Sequence, residues 1–198
     1  MQIKDIESAY IELLNECNVG LAEYFSVNPL YCTNEDFYKQ YLQFNAIFDM
    51  HSGNTATHVF VDKKANRIMG YISLRANSIV SKDDKSMITG KPSLEISVLA
   101  VDKDYEHQGV GTVLMAKALE IASTLHEKYI GVKHLILAAD PNAVGFYEKM
   151  GFRKMASQWE QIPAESFSGT CVPMCRDLAF ELENLESFVD ETEDDEDC

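Results

Sequence analysis

The sequence predicts an α/β fold built around one central sheet, and three stretches carry that expectation. A β-branched run, LEISVLAV at residues 94 to 101, leads into a glycine pair at Gly109 and Gly111. The pair opens a stretch with apolar residues at Val110, Leu114, Ala118, Ile121 and Leu125, spaced 4, 4, 3 and 4 apart, which puts one buried stripe on a helix. HLILAA, residues 134 to 139, shows no polar alternation, as in a strand covered on both faces. Strand, glycine loop, helix and strand in that order describe a sheet with helices packed on it.

The remaining elements follow along the chain. DIESAYIELLNEC, residues 5 to 17, has Ile6, Ala9, Tyr10, Leu13 and Leu14 at helical spacing and predicts a first helix. A second helix is expected over residues 34 to 50, with Asn34 as its N-cap and Phe37, Tyr41, Phe44 and Phe48 as an aromatic stripe facing the core. Residues 56 to 76 read as two strands joined by DKKANR, and SKDDKSMITGKPS, residues 81 to 93, as a polar loop. NAVGFYEKMGF predicts a short helix capped by Asn142 and ended by Gly151. FRKMASQW and TCVPMCRDLAFEL predict two further strands.

Length and composition bound the function. A chain of 198 residues with 46% apolar content suits one folded domain with a sizeable core, expected over residues 1–180. The net charge is −15, and residues 181–198 carry ten acids and no base, so they read as a solvated acidic tail. The first 180 residues hold 22 acids against 17 bases, a net −5 without a basic cluster, which makes a nucleic-acid partner unlikely and suits a cationic substrate. No apolar run approaches the roughly 20 residues of a membrane span, and MQIKDIESAY lacks the basic-then-apolar order of a secretion signal, so the cytoplasm is expected. Cys17, Cys32, Cys171, Cys175 and Cys198 are odd in number and show no metal-ligand spacing, which predicts reduced structural thiols and no metal.

The glycine stretch YEHQGVGTVLMAKAL, residues 105 to 119, is the part of the chain most suited to a ligand. A helix N-terminus offers unpaired N–H donors and the positive end of the peptide dipoles, and glycine lets a phosphate approach the backbone. It is not a Walker A loop, because no Gly-Lys-Ser/Thr follows. It is not a dinucleotide fingerprint, because Leu114 stands where the third glycine belongs. A nicotinamide oxidoreductase is disfavoured with it.

LEISVLAVDKDYEHQGVGTVLMAKALEIA, residues 94 to 122, followed by LAADPNAVGFYEKMGFRKM from residue 137, resembles the GNAT superfamily of acyl-CoA-dependent N-acyltransferases. The pattern covers roughly residues 58 to 178, and its specific centre is 94 to 155. The family's loop, Gln/Arg-x-x-Gly-x-Gly/Ala, falls on Glu106 to Gly111, and its second signature falls on Asn142, Ala143 and Phe146 to Phe152. The resemblance implies a GNAT fold: a mixed, largely antiparallel sheet of six to seven strands with flanking helices, splayed between the fourth and fifth strands. It also implies acetyl-CoA as co-substrate and an amine as acceptor, in a cytoplasmic monomer or homodimer.

Site residues follow from that resemblance. Backbone N–H groups of His107, Gln108, Gly109, Val110, Gly111 and Thr112 would hold the pyrophosphate. Leu99, Ala100 and Val101 would lie along the pantetheine arm, with N–H groups near Leu99 polarising the thioester carbonyl. Tyr147 is the general-acid candidate, a phenol of ordinary pKa about 10 donating to a thiolate of about 8.5. Glu95, on the strand before the loop, is the candidate base acting through a water, with an ordinary strand-edge role as the alternative. Asn142 would bond the cofactor or cap its helix. Glu106 departs from the family's Gln or Arg: it either points away or weakens coenzyme A binding. Trp159 and its surroundings fall where the family shapes its acceptor site, and His51, His58 and His126 have no assigned partner. The leading expectation is an acetyltransferase acting on a primary amine through a ternary complex. A toxin-type aminoacyl-tRNA acetyltransferase and a non-catalytic acyl-CoA-binding module are the alternatives.

Overall fold

The computed structural model describes residues 9–30, 32, 34–82, 88–155, 159–161 and 171–178. The expected acidic tail, residues 156–158 and residues 162–170 lie outside them. Among the described residues eight strands form one sheet: β1 (Ala9–Leu13), β2 (Ala56–Asp62), β3 (Arg67–Lys82), β4 (Ile88–Val101), β5 (His134–Ala139), β6 (Arg153–Lys154), β7 (Trp159–Gln161) and β8 (Val172–Asp177). Their order is β1-β2-β3-β4-β5-β8-β6, and β7 pairs with the far end of β3. Among the described residues only β4 and β5 run parallel; every other pairing is antiparallel.

The first expected helix is a strand. Residues 9–13 pair with Asp62 to His58 of β2, and the two faces of β1 are covered differently. Ala9 and Ile11 pack with the core beneath one face, Tyr10 with the core beneath the other. A short run apolar on both faces matches helical spacing by coincidence, and the neighbouring strand decides its state.

The helix expected over residues 34–50 forms, as α1 (Glu35–Gln40), a π-helical turn (Tyr41–Asn45) and α2 (Ala46–His51). The Asn34 side chain caps it, accepting from the Phe37 N–H at 3.2 Å. Its aromatic stripe is not the buried one. Phe44 and Phe48 are 72% and 68% exposed, whereas Leu42 and Ala46 are fully buried. The small and aliphatic positions face the sheet, where Tyr71 fills the space beneath them.

In the β2–β3 hairpin, Asp62 Oδ1 accepts from the N–H groups of Lys64 and Ala65, which closes the expected connection. The loop expected over residues 81–93 is largely strand: β3 runs to Lys82 and β4 starts at Ile88, with Ser78 opposite Pro92. Polar residues line this exposed extension, so no hydrophobic alternation marked it in the sequence.

Helix α3 (Val110–Lys128) buries Val110, Leu114, Met115, Ala118 and Ala122 against the sheet. A Cβ on Gly70 would stand 2.9 Å from Val110 Cγ1 and 3.0 Å from Leu114 Cδ1. The close helix–strand approach that a glycine at position 114 would give is thus supplied from the strand side. Helix α4 (Val144–Lys149) ends in Gly151 at φ +81, with Gly151 N–H donating to Glu148 O and Phe152 N–H to Tyr147 O, a Schellman arrangement.

One irregularity positions everything that follows. Ser73 pairs with Val98 and Leu74 with Ile96, so Ser97 is an extra residue in β4, a β-bulge whose hydroxyl bonds Ser73 O at 3.1 Å. Before it Leu94 and Ile96 pack towards α3; after it Leu99 and Val101 do, while Val98 and Ala100 face the core under α1 and α2.

Candidate active site

The sheet opens immediately after the bulge. β4 and β5 pair from Ser93–His134 to Ile96–Leu137 and then stop, although β4 continues to Val101 and β5 to Ala139. The gap widens into a cleft of about 850 Å³. Leu99, Ala100 and Val101 line it from one side, Leu137 and Ala138 from the other, and Tyr147 closes it from α4.

At the end of β4 the chain turns under control of Asp102. This buried carboxylate accepts from Ser26 N–H at 2.9 Å and Asp104 N–H at 3.0 Å, and pairs with Arg67 at 3.2 Å. A short 3-10 turn (Lys103–Tyr105) then leads to two left-handed residues, His107 at φ +58 and Gly109 at φ +86. They aim the chain into α3, whose first intrahelical bond runs from Val113 N–H to Gly109 O. The N–H groups of Val110, Gly111 and Thr112 therefore have no carbonyl within the helix. A Cβ on Gly111 would meet Phe146 Cζ at 3.3 Å, so this glycine also lets α4 pack close.

Side chains in this loop turn away from the helix end. The Gln108 amide donates to Asp104 O at 2.9 Å, and the Val110 side chain is buried in the core. Glu106 accepts from the Asn28 amide at 3.1 Å and lines the cleft.

Glu95 lines the cleft and is gripped there. Arg75 Nε donates to Oε2 at 2.7 Å and Nη2 to Oε1 at 2.9 Å, and the Asn77 amide also donates to Oε2. Three of roughly four acceptor positions are occupied. Tyr147 is 8% exposed, and burial, with Tyr38 and Asp140 adding to it, pushes its phenol well up. Tyr38 is likewise pushed to about 12, first by burial and then by Asp140.

Asn142 does not cap the helix. It sits exposed in a 3-10 turn (Pro141–Ala143), whose cap is Asp140: Asp140 Oδ1 accepts from the Asn142 N–H at 3.0 Å. The aspartate two residues earlier reaches that donor, while Ala143 occupies the N-cap position of α4. Trp159 pairs with Ser81 as a strand residue.

Sequence reasoning missed Arg75, Asn77, Asp49 and the aromatic wall of Phe37, Tyr38 and Tyr41. All but Asn77 line the same cleft. The hairpin places Arg75 directly opposite Glu95, but only a register that accounts for the bulge puts them there.

The family described as the acetyltransferase (GNAT) domain matches residues 23–162, more than half of the chain. The chain belongs to the GNAT acetyltransferase family. A mycothiol acetyltransferase from Propionibacterium freudenreichii subsp. shermanii is 35% identical over 79 residues, which is 38% of this chain; the match spans about a quarter (24%) of that relative's length. Among solved structures, a mutant form of the toxin AtaT superimposes with a TM-score of 0.68 at 18% identity, covering 90% of this chain and 94% of that one. AtaT complexed with acetyl-methionyl-tRNAfMet gives 0.61 at 16% identity, covering 89% and 98%. At these identities the likeness is one of fold. The expected splay falls between the fourth and fifth strands. Among the described residues no helix is long and apolar enough to cross a membrane.

Proposed function

We propose that this protein transfers the acetyl group of acetyl-CoA to a primary amine by direct attack within a ternary complex. The observation that carries the reading is the parting of β4 from β5 after the Ser97 bulge, followed along the chain by the start of α3, whose first N–H groups have no carbonyl within the helix. Acetyl-CoA supplies an activated thioester. The backbone of Leu99 to Val101 is oriented by its ladder with β3, so its free polar groups hold the incoming arm in register and polarise the carbonyl. The N–H groups of His107 to Thr112 take the pyrophosphate, and Gly109 and Gly111 admit it closely.

Tyr147 is the proton donor to the leaving thiolate. Burial keeps its phenol protonated at neutral pH and makes the transfer uphill, as expected of a weak acid acting late. Glu95 has one acceptor position left beside the Arg75 guanidinium. Its part in this reading is to position a water that takes the amine's proton. Glu106, turned to Asn28, adds negative charge to the cleft rather than a phosphate contact.

A second reading, acetylation of an aminoacyl-tRNA, draws on the fold shared with AtaT, solved with acetyl-methionyl-tRNAfMet. The net −5 of residues 1–180 weighs against it. Calorimetric titration with acetyl-CoA, followed by thiol-release assays on small amines and on aminoacyl-tRNA, decides among the readings. Tight binding without turnover on any acceptor would leave an acyl-CoA-binding module instead.

A further inference from the structure

The cleft's own charges and rings point to the kind of amine it takes, an inference that rests on the acetyltransferase reading above. Four carboxylates line the cleft, those of Asp49, Glu95, Glu106 and Asp140, against the single guanidinium of Arg75. Glu95 is neutralised by Arg75, Glu106 accepts from Asn28, and Asp140 caps its turn. Asp49, on α2, is different: the Asn54 amide reaches its Oδ1 only at 3.4 Å, and among the described residues no cation pairs with it. Its field nevertheless reaches Arg75, next to the bulge.

The same helix supplies a second feature. Phe37 stacks on Tyr41 at 6.0 Å between centroids, and Tyr41 stacks on Tyr71 at 6.3 Å. Phe37, Tyr38 and Tyr41 thus present a wall of rings to the cleft. Aromatic faces attract alkylammonium groups and give methylene chains an apolar surface to lie on. The deeply buried Tyr147 lines this cleft as well. A carboxylate without a cation partner among the described residues and a wall of rings share one cavity.

We propose that the acceptor is a diamine or polyamine, one nitrogen attacking at the β4 bulge while a second, still protonated, docks between Asp49 and the rings of Phe37, Tyr38 and Tyr41. The attacking nitrogen arrives neutral, forms the amide bond and gives up its second proton as the carbon–sulfur bond breaks; the thiolate leaves as thiol. The distal ammonium keeps its charge, since an alkyl amine's pKa of about 10.4 leaves it protonated at neutral pH.

The test uses the full chain with acetyl-CoA, reading thiol release on diaminopentane, pentylamine, aminopentanoate and an aminoacyl-tRNA. The expected kcat/KM is about tenfold higher for diaminopentane than for pentylamine, lower again for aminopentanoate, with the diamine preference shrinking as salt is raised. In Asp49→Asn the preference of diamine over monoamine falls about tenfold through KM, and Asp49→Glu restores part of it. Acetyl-CoA calorimetry reports whether each variant is folded, and the wild-type salt dependence stands if neither is. Equal rates on diamine and monoamine, or turnover only on aminoacyl-tRNA, overturn this proposal and leave acetyl transfer standing. Acetyl-CoA binding with no turnover on any acceptor overturns both.

Discussion

The Arg75 guanidinium meets the Glu95 carboxylate edge to edge, Nε to Oε2 at 2.7 Å and Nη2 to Oε1 at 2.9 Å. The carboxylate is only 6% exposed, so removing its partner strands a charge inside the sheet. Arg75→Leu should cost about 3 kcal/mol in urea unfolding, and the double variant Arg75→Leu, Glu95→Leu should recover much of it. Additive losses would show that the two side chains do not act as a pair.

Tyr147→Phe keeps the ring that packs at 5.1 Å against Phe146 and at 5.9 Å against Phe152, and deletes only the hydroxyl. Turnover should fall about a hundredfold while acetyl-CoA affinity by calorimetry hardly changes. Wild-type turnover in this variant would remove the phenol from the chemistry.

Two buried phenols and the half-buried Tyr38 give the fold an alkaline limit. Burial is the first cause that raises Tyr38, to about 12, and also Tyr71 and Tyr147. In the unfolded chain these groups ionise near pH 10. Above that pH the unfolded state holds fewer protons than the folded one, so stability falls as pH rises. Each phenol contributes a slope of up to about 1.4 kcal/mol per pH unit until its folded value is reached, and none below pH 9. Urea midpoints at pH 9 and 11 should differ, and Tyr147→Phe should reduce the difference; equal midpoints would contradict the burial argument.

Two glycines separate packing from binding. A Cβ at Gly70 would stand 2.9 Å from both Ala100 O and Val110 Cγ1, so Gly70→Ala should destabilise by about 2 kcal/mol in thermal or urea unfolding. Gly111→Asp adds a charge among the unpaired N–H groups at the start of α3 and crowds Phe146. It should abolish acetyl-CoA binding in calorimetry, and retained affinity would argue against the helix end as the pyrophosphate site.

The centre of the fold was legible because its signals are local. The spacing of Val110, Leu114 and Ala118, the run HLILAA and the terminator Gly151 each specify an element from within a few residues, and the structure has all three. Residues 9–13 misled because their state depends on β2, more than 40 residues away. Phe44 and Phe48 misled because hydrophobicity alone does not tell a core stripe from an exposed one, and the small Ala46 takes the buried place. Asn142 lost its capping role to Asp140, a competitor of the same chemistry two residues upstream. Arg75 and Glu95 were invisible as a pair because cross-strand partners are set by register, and the register changes at Ser97.

Ser97 also makes the length of β4 a matter of inside and outside. Were the bulge flattened so that Ser97 itself stood opposite Ser73, Val98 to Val101 would each swap faces. Val98 and Ala100 would leave the side of Tyr71, and Leu99 and Val101 would be thrust towards it. Deleting the Ser97 codon would take out the extra residue and leave those four side chains on the sides they now occupy, straightening the strand without turning it over.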